Sequence, residues 1–154
     1  MTRGVIYHTD TVILGTTPEK AFWFSISPGQ LPKVDPAVVF WEPDELPPRV
    51  GTKNRFKLTV FGVPVHCVSR FTEFEVPKRT SLVGERPFFA KWTTLSCEVE
   101  PLGEDRTVFT ARTQITYPRF AKPIAKIMLR VMRQRLAVTN AAAAERFRKS
   151  ERAS

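Results

Sequence analysis

The stretch PIAKIMLRVMRQRLAVTNAAAAERFRK, Pro123 to Lys149, continues from its opening proline with no Gly and no second Pro. That pattern predicts one long helix. At about 100° per residue, Ile124, Ile127, Met128, Val131 and Val138 fall on one side. Leu129, Met132, Leu136 and Phe147 widen the arc, and Lys122, Lys126, Arg130 and Arg133 take the remainder. An apolar arc of nearly half the circumference is wider than a surface helix needs. It calls for a large apolar surface to lie on, such as a curved antiparallel sheet. Arg135 breaks the arc, falling between Val131 and Val138.

The preceding part of the chain supplies the strands. Phe56, Leu58 and Val60 alternate with Arg55, Lys57 and Thr59, as expected where one face is buried and the other wet. After a turn marked by Gly62 and Pro64, the residues Val65, Cys67, Ser69 and Phe71 share one side, opposite His66, Val68, Arg70 and Thr72. A turn at Pro77-Lys78 and a short strand from Thr80 to Gly84 come next, and Arg86-Pro87 interrupts the chain again. Thr93, Leu95, Cys97 and Val99 oppose Thr94, Ser96, Glu98 and Glu100, and Phe109, Ala111, Thr113, Ile115 and Tyr117 oppose Val108, Thr110, Arg112 and Gln114. Short turns between such strands predict an antiparallel meander. Cys67 and Cys97 then sit on strands separated by a third, roughly 9–10 Å apart. A disulfide spans at most about 7 Å between Cα atoms, so both are expected to be buried free thiols.

At the N-terminal end, Val5 to Leu14 reads as a first strand ending at Gly15. Thr17-Pro18-Glu19 reads as a helix start, with Thr17 as the cap and Pro18 in the first helical position. Ala21, Phe22, Phe24 and Ile26 give that short helix its apolar mass, and Gln30 to Asp35 can hold a further helical turn. Val38 to Trp41 reads as a brief strand, and Glu42 to Val50 as a loop.

A chain of 154 residues, 42% apolar and 25% charged, fits one globular domain with a real core. No run has the length of a membrane span, and Met1-Thr2-Arg3-Gly4 opens no signal-peptide-like stretch, so the expected location is the cytoplasm. Two cysteines form neither a disulfide framework nor a metal spacing, and no metal or cofactor is expected. The net charge of +9 could attract nucleic acid, anionic lipid or an acidic partner. No basic-aromatic recognition motif accompanies it, so no specific nucleic acid is expected. Weak contact with an anionic membrane remains open, as does the oligomeric state.

The order of strand, short helix pair, strand meander and long terminal helix resembles the START-like or Bet v 1-like helix-grip fold. Val12 to Phe22 is similar to that family's opening strand, proline-started helix and subsequent aromatic. Gly51-Thr52 before a strand and Arg70 to Arg79 are similar as well. Among its branches, the chain looks most like the bacterial polyketide cyclase/dehydrase and lipid-transport group (SRPBCC). The resemblance implies an α+β domain over residues 1–154. Strands and short helices would occupy 4–117 and the long helix about 121–149, with a seven-stranded sheet gripping that helix around an apolar cavity. Members bind hydrophobic small molecules, and some cyclise or dehydrate polyketides. Others sense hormones, bind quinone-like lipids, assist chaperones or act on ribosomes, so the fold alone selects no function.

Strand parity and the helix arc nominate Phe56, Leu58, Phe71, Leu95, Thr113, Tyr117, Met128, Val131 and Arg135 as lining a ligand cavity. Arg135 is the sharpest of these. Its guanidinium would suit a ligand carboxylate, phosphate or enolate through paired hydrogen bonds, unless its stem covers apolar surface while its head reaches water or a local acid. Parity places His66 on the solvent face, and His8 is less informative. Glu73 continues the Phe71 side and could be the one inward carboxylate, or equally sit at the strand end in water. Asp35 and Glu42 flank the expected mouth as solvated groups, and Trp41, Trp92, Phe88 and Phe89 read as core or rim. Acid–base or nucleophilic catalysis needs at least two placed polar groups, whereas binding needs an apolar pocket with few. The first expectation is therefore binding or transport of a lipid-, quinone- or polyketide-like molecule. The alternatives are a cyclase/dehydrase-type enzyme using Arg135, Tyr117 and Glu73, and a protein or ribosome interaction module using the basic surface.

Overall fold

The computed structural model describes residues 3–26, 38–45, 47–60 and 62–153. The strands are β1 (Arg3–Leu14), β2 (Val38–Pro43), β3 (Lys53–Val60), β4 (Val63–Glu75), β5 (Arg79–Arg86), β6 (Thr93–Pro101) and β7 (Thr107–Pro118). They form one seven-stranded antiparallel sheet in the order β1-β7-β6-β5-β4-β3-β2. From β2 to β7 the sheet is a meander, and β1 closes on β7 with Arg3 opposite Pro118 and Leu14 opposite Thr107.

Helix α1 (Pro18–Ile26) comes directly after β1. Thr17 caps it as expected: its hydroxyl accepts from the Lys20 N–H at 3.4 Å and its carbonyl from the Ala21 N–H at 3.0 Å. The helical turn expected at Gln30–Asp35 lies outside the described residues. A 3-10 turn spans Phe88–Trp92 between β5 and β6, and another, Arg119–Ala121, leads into the long helix α2 (Lys122–Ala153).

Helix α2 lies along one side of the sheet, over β1 and to a lesser extent β7. Its buried side chains among the described residues are small or compact: Ala125, Asn140 and Ala143. The wide arc read from the sequence is only partly covered, since Ile124 and Ile127 remain 51% and 54% exposed. Val138, placed on the apolar side, is exposed too. Small residues bring the helix down on the β1 edge, and this tips the larger side chains toward β3–β6 and away from the closest contact.

The core divides into two clusters. One packs Phe22 and Ile26 of α1 against Leu14, Phe71, Val99, Phe109, Ala111 and Ala143. Within it the Phe71 and Phe74 rings meet edge-on at 5.3 Å, and the Phe22 and Phe74 rings at 5.4 Å. The second joins Ile115 and Tyr117 of β7 to Ala125. Between the clusters, the space beneath α2 is left open.

Candidate functional site

A cavity of about 480 Å³ occupies that space. Its floor is the inner face of β3–β6, with Phe56, Val65, Cys67, Leu82, Leu95 and Cys97, and its roof is the α2 side carrying Ile127, Met128, Val131, Met132 and Leu136. The α1 end is walled by Phe24 and Ile26. At the other end the 3-10 turn after β5 folds over the sheet and contributes Phe89 and Ala90. Gly84 makes that fold possible: a Cβ there would collide with the Ala90 carbonyl.

Five of the nine nominated residues line the cavity: Phe56, Leu95, Met128, Val131 and Arg135. Three do not. Phe71 is buried in the aromatic cluster under α1, Tyr117 is buried against Ala125 of α2, and Thr113 is buried on the same face of β7. Their inward direction was read correctly, but the helix sits off-centre and seals that half of the face. Leu58 pairs with Val65 in the β3–β4 ladder, and its side chain lies outside the described residues.

Of the two placements open to Glu73, the inward one is not taken. A register shift between Phe71 and Glu73 reverses the alternation, so Phe74 turns inward beside Phe71. Glu73 instead accepts from the Ser81 hydroxyl at 3.2 Å and pairs with Arg79 at 3.4 Å. Such a bulge adds one residue to a strand and swaps the faces of the side chains beyond it. The grouping of Arg135, Tyr117 and Glu73 is therefore not assembled: one lines the cavity, one is sealed under α2, and one salt-bridges on the other face.

Arg135 reaches across the cavity from α2, and its Nη2 donates to the Thr59 carbonyl at 3.0 Å. Thr59 lies one residue beyond Val38–Leu58, the last described pair between β2 and β3. The guanidinium thus ties the helix to the far side of the curled sheet. His66 is exposed, as parity indicated, whereas His8 is half-buried and in register with Thr113. Phe88 is exposed, Trp92 packs on the Ile115 cluster, and Asp35 and the side chains of Trp41 and Glu42 lie outside the described residues.

Both cysteines are free and both line the cavity. Burial pushes the Cys67 thiol up to about 11 and the Cys97 thiol up to about 12, in the second case against a hydrogen bond with Thr80. Neither is a thiolate at neutral pH, so neither is an activated nucleophile. Among the described residues, no three His, Cys, Asp or Glu side chains converge as metal ligands, and no helix is long and apolar enough to cross a membrane.

The polar groups around the cavity that sequence reasoning missed include Asn140, Asn54 and Ser69, and Arg86 and Thr80 line it as well. Asn140 donates from Nδ2 to Asp10 of β1 at 2.6 Å. Asn54 and Ser69 face each other across β3 and β4 on the inner side, and neither Asn54 Nδ2 nor Ser69 Oγ has a hydrogen-bond partner among the described residues. The signal for Asn54 was available, since it precedes inward-facing Phe56 by two positions.

No protein-family model matches the sequence, and no curated protein matches it. Solved structures do. An aromatase/cyclase from Streptomyces sp. R1128 superposes with a TM-score of 0.79 at 10% identity, over 95% of both chains. A norcoclaurine synthase point mutant from Thalictrum flavum gives 0.75 at 14% identity, over 98% of this chain and 99% of the other. A START superfamily protein from Mycobacterium smegmatis gives 0.72 at 14% identity, over 91% and 97%. At such identities the likeness concerns architecture: the chain has the START-like, Bet v 1-like helix-grip fold.

Proposed function

We propose that the protein binds one hydrophobic small molecule, of lipid-, quinone- or polyketide-like character, between α2 and the sheet. The observation that carries this reading is the open apolar space of about 480 Å³ in a domain whose two core clusters are otherwise packed. Its volume falls within the range of about 300–1,000 Å³ typical of ligand sites. Its walls are aliphatic and aromatic, with few polar groups to orient a guest. Two structural neighbours add support by analogy: the norcoclaurine synthase mutant was solved with a transition-state analogue, and the Streptomyces protein is an aromatase/cyclase. Arg135 would orient an acidic or enolic oxygen at the β3 side while keeping its Thr59 bond.

Turnover of the cyclase/dehydrase kind finds less support, because the catalytic grouping expected from Arg135, Tyr117 and Glu73 is dispersed. A second reading, a module that docks on an acidic partner, is favoured by one observation. From Arg106 to Ala144 the chain carries Lys and Arg side chains but no Asp or Glu.

Native mass spectrometry of the protein purified without detergent should find an amphiphile of matching mass. Val131→Trp, which projects an indole into the cavity, should weaken uptake of a naphthyl probe by about tenfold or more while leaving the fold intact, since the void accepts the added volume. A variant that binds the probe as well as the parent would place the ligand elsewhere.

A further inference from the structure

Asn54 and Ser69 are directly opposed in the β3–β4 ladder and share the inner face with Phe56 and Cys67. Both are nearly sealed from solvent, at 1% and 6% exposure. Directly opposed residues in such a ladder hold their Cβ atoms about 5 Å apart, yet these two side chains do not bond each other. Asn54 Nδ2 and Ser69 Oγ are without hydrogen-bond partners among the described residues. Other buried hydroxyls behave differently. Thr52 bonds the Arg49 N–H and the Glu45 carboxylate, and Thr107 donates to the Thr16 carbonyl at 2.7 Å.

A buried amide or hydroxyl left unpaired costs free energy that natural cores rarely tolerate. Ser69 stands on the wall of a largely apolar cavity with Asn54 beside it just behind the wall, so the two make a polar recess with no acceptor of its own. The next strand cannot fill it. Opposite Ser69 on β5 stands Gly84, which has no side chain, and the backbone of Ala90 closes over that glycine. The third unpaired hydroxyl, on Thr113, stands alone on β7, opposite His8 and Leu95 and away from this pair.

We propose that Asn54 and Ser69 form a carbonyl-recognition subsite: an N–H and an O–H converging on the two lone pairs of one ligand oxygen. The bound molecule then carries a ketone, quinone or ester carbonyl on an apolar body. Thr59, the anchor of Arg135, is five positions along β3 from Asn54, or about 17 Å at strand rise. The carbonyl end therefore lies well apart from the Arg135 end. This inference rests on the cavity being the ligand site and adds the chemistry of one end of its guest.

The test compares 2-acetylnaphthalene with 2-isopropenylnaphthalene, which replaces the carbonyl oxygen by a CH₂ of nearly the same shape. Affinities are read by titration calorimetry on the ligand-free protein. The parent protein should bind the ketone about tenfold more tightly. Asn54→Leu should bring the ratio close to one by weakening the ketone alone, and Ser69→Ala should reduce it part of the way. Asn54→Leu without ligand should melt no lower than the parent, because it removes an unpaired buried amide. Equal binding of both compounds by the parent overturns the subsite but leaves the cavity as a ligand site. Binding of neither overturns both. A lowered melting temperature in Asn54→Leu would mean that the amide is already bonded within the fold, and that also overturns the subsite.

Discussion

At the scale of single residues, the two cysteines make a testable statement about the cavity. Below pH 9 their thiols are protonated in the folded and unfolded chains alike. Above it the unfolded chain releases those protons, while the folded chain holds them until about 11 at Cys67 and about 12 at Cys97. Raised folded values therefore favour unfolding as pH climbs from 9, by up to about 1.4 kcal/mol per pH unit for a fully protected thiol. Cys97→Val should flatten this alkaline loss relative to the parent in urea denaturation, and superimposable pH curves would show that Cys97 ionises normally. Sequence parity had put both thiols on the inner face, which holds. What it could not tell was that they border a void. Parity assigns a direction, whereas the covering element decides whether an inward side chain meets a helix or open space. Tyr117 met the helix, and Leu95 and Phe56 met the space.

At the scale of elements, a hydrogen bond from Arg135 to the Thr59 carbonyl joins α2 to the β3–β4 hairpin. Arg135→Leu keeps the apolar stem but removes the donor, leaving a carbonyl at the sheet edge to be satisfied by water. A loss of about 1 kcal/mol is expected. Amide exchange along Lys57–His66 in the ligand-free protein should then speed up by about fivefold, with the β1–β7 ladder unaffected. Uniform acceleration throughout would instead mark a global stability change and deny the link. The elements themselves were legible because their periods are strong: alternation in the strands and a breaker-free run in α2. The bulge was not. One additional residue between Phe71 and Glu73 leaves no mark on composition, yet it moved Glu73 from the cavity side to a salt bridge with Arg79. The ridge of α2 that touches the sheet was also hidden. Its most buried members are Ala125, Asn140 and Ala143, residues that an apolar arc overlooks because burial there depends on smallness.

At the scale of the whole molecule, the sheet's curl and the off-centre helix produce an apolar interior, while the surface carries the charge. Arg119 in the preceding 3-10 turn and Lys122, Lys126, Arg130 and Arg133 along the first half of α2 are exposed, beside exposed Phe120, Ile124 and Ile127. The two features answer salt differently. Transfer of a neutral hydrocarbon body into the cavity releases no counterions and scales with the apolar area removed from water. Attraction between exposed cations and a polyanion is screened over about 10 Å at 0.1 M salt and weakens steeply as salt rises. The affinity for 2-acetylnaphthalene should therefore change by less than about twofold between low and physiological salt, while retention on anionic vesicles should collapse over the same range. Titration calorimetry and vesicle sedimentation, run at matched ionic strengths, separate the two. A naphthyl ketone whose binding fell in parallel with vesicle retention would be sitting on the basic surface, and the interior would lose its claim to be the functional site. Vesicle retention that survived physiological salt would instead promote the basic face from an attractive surface to a docking site.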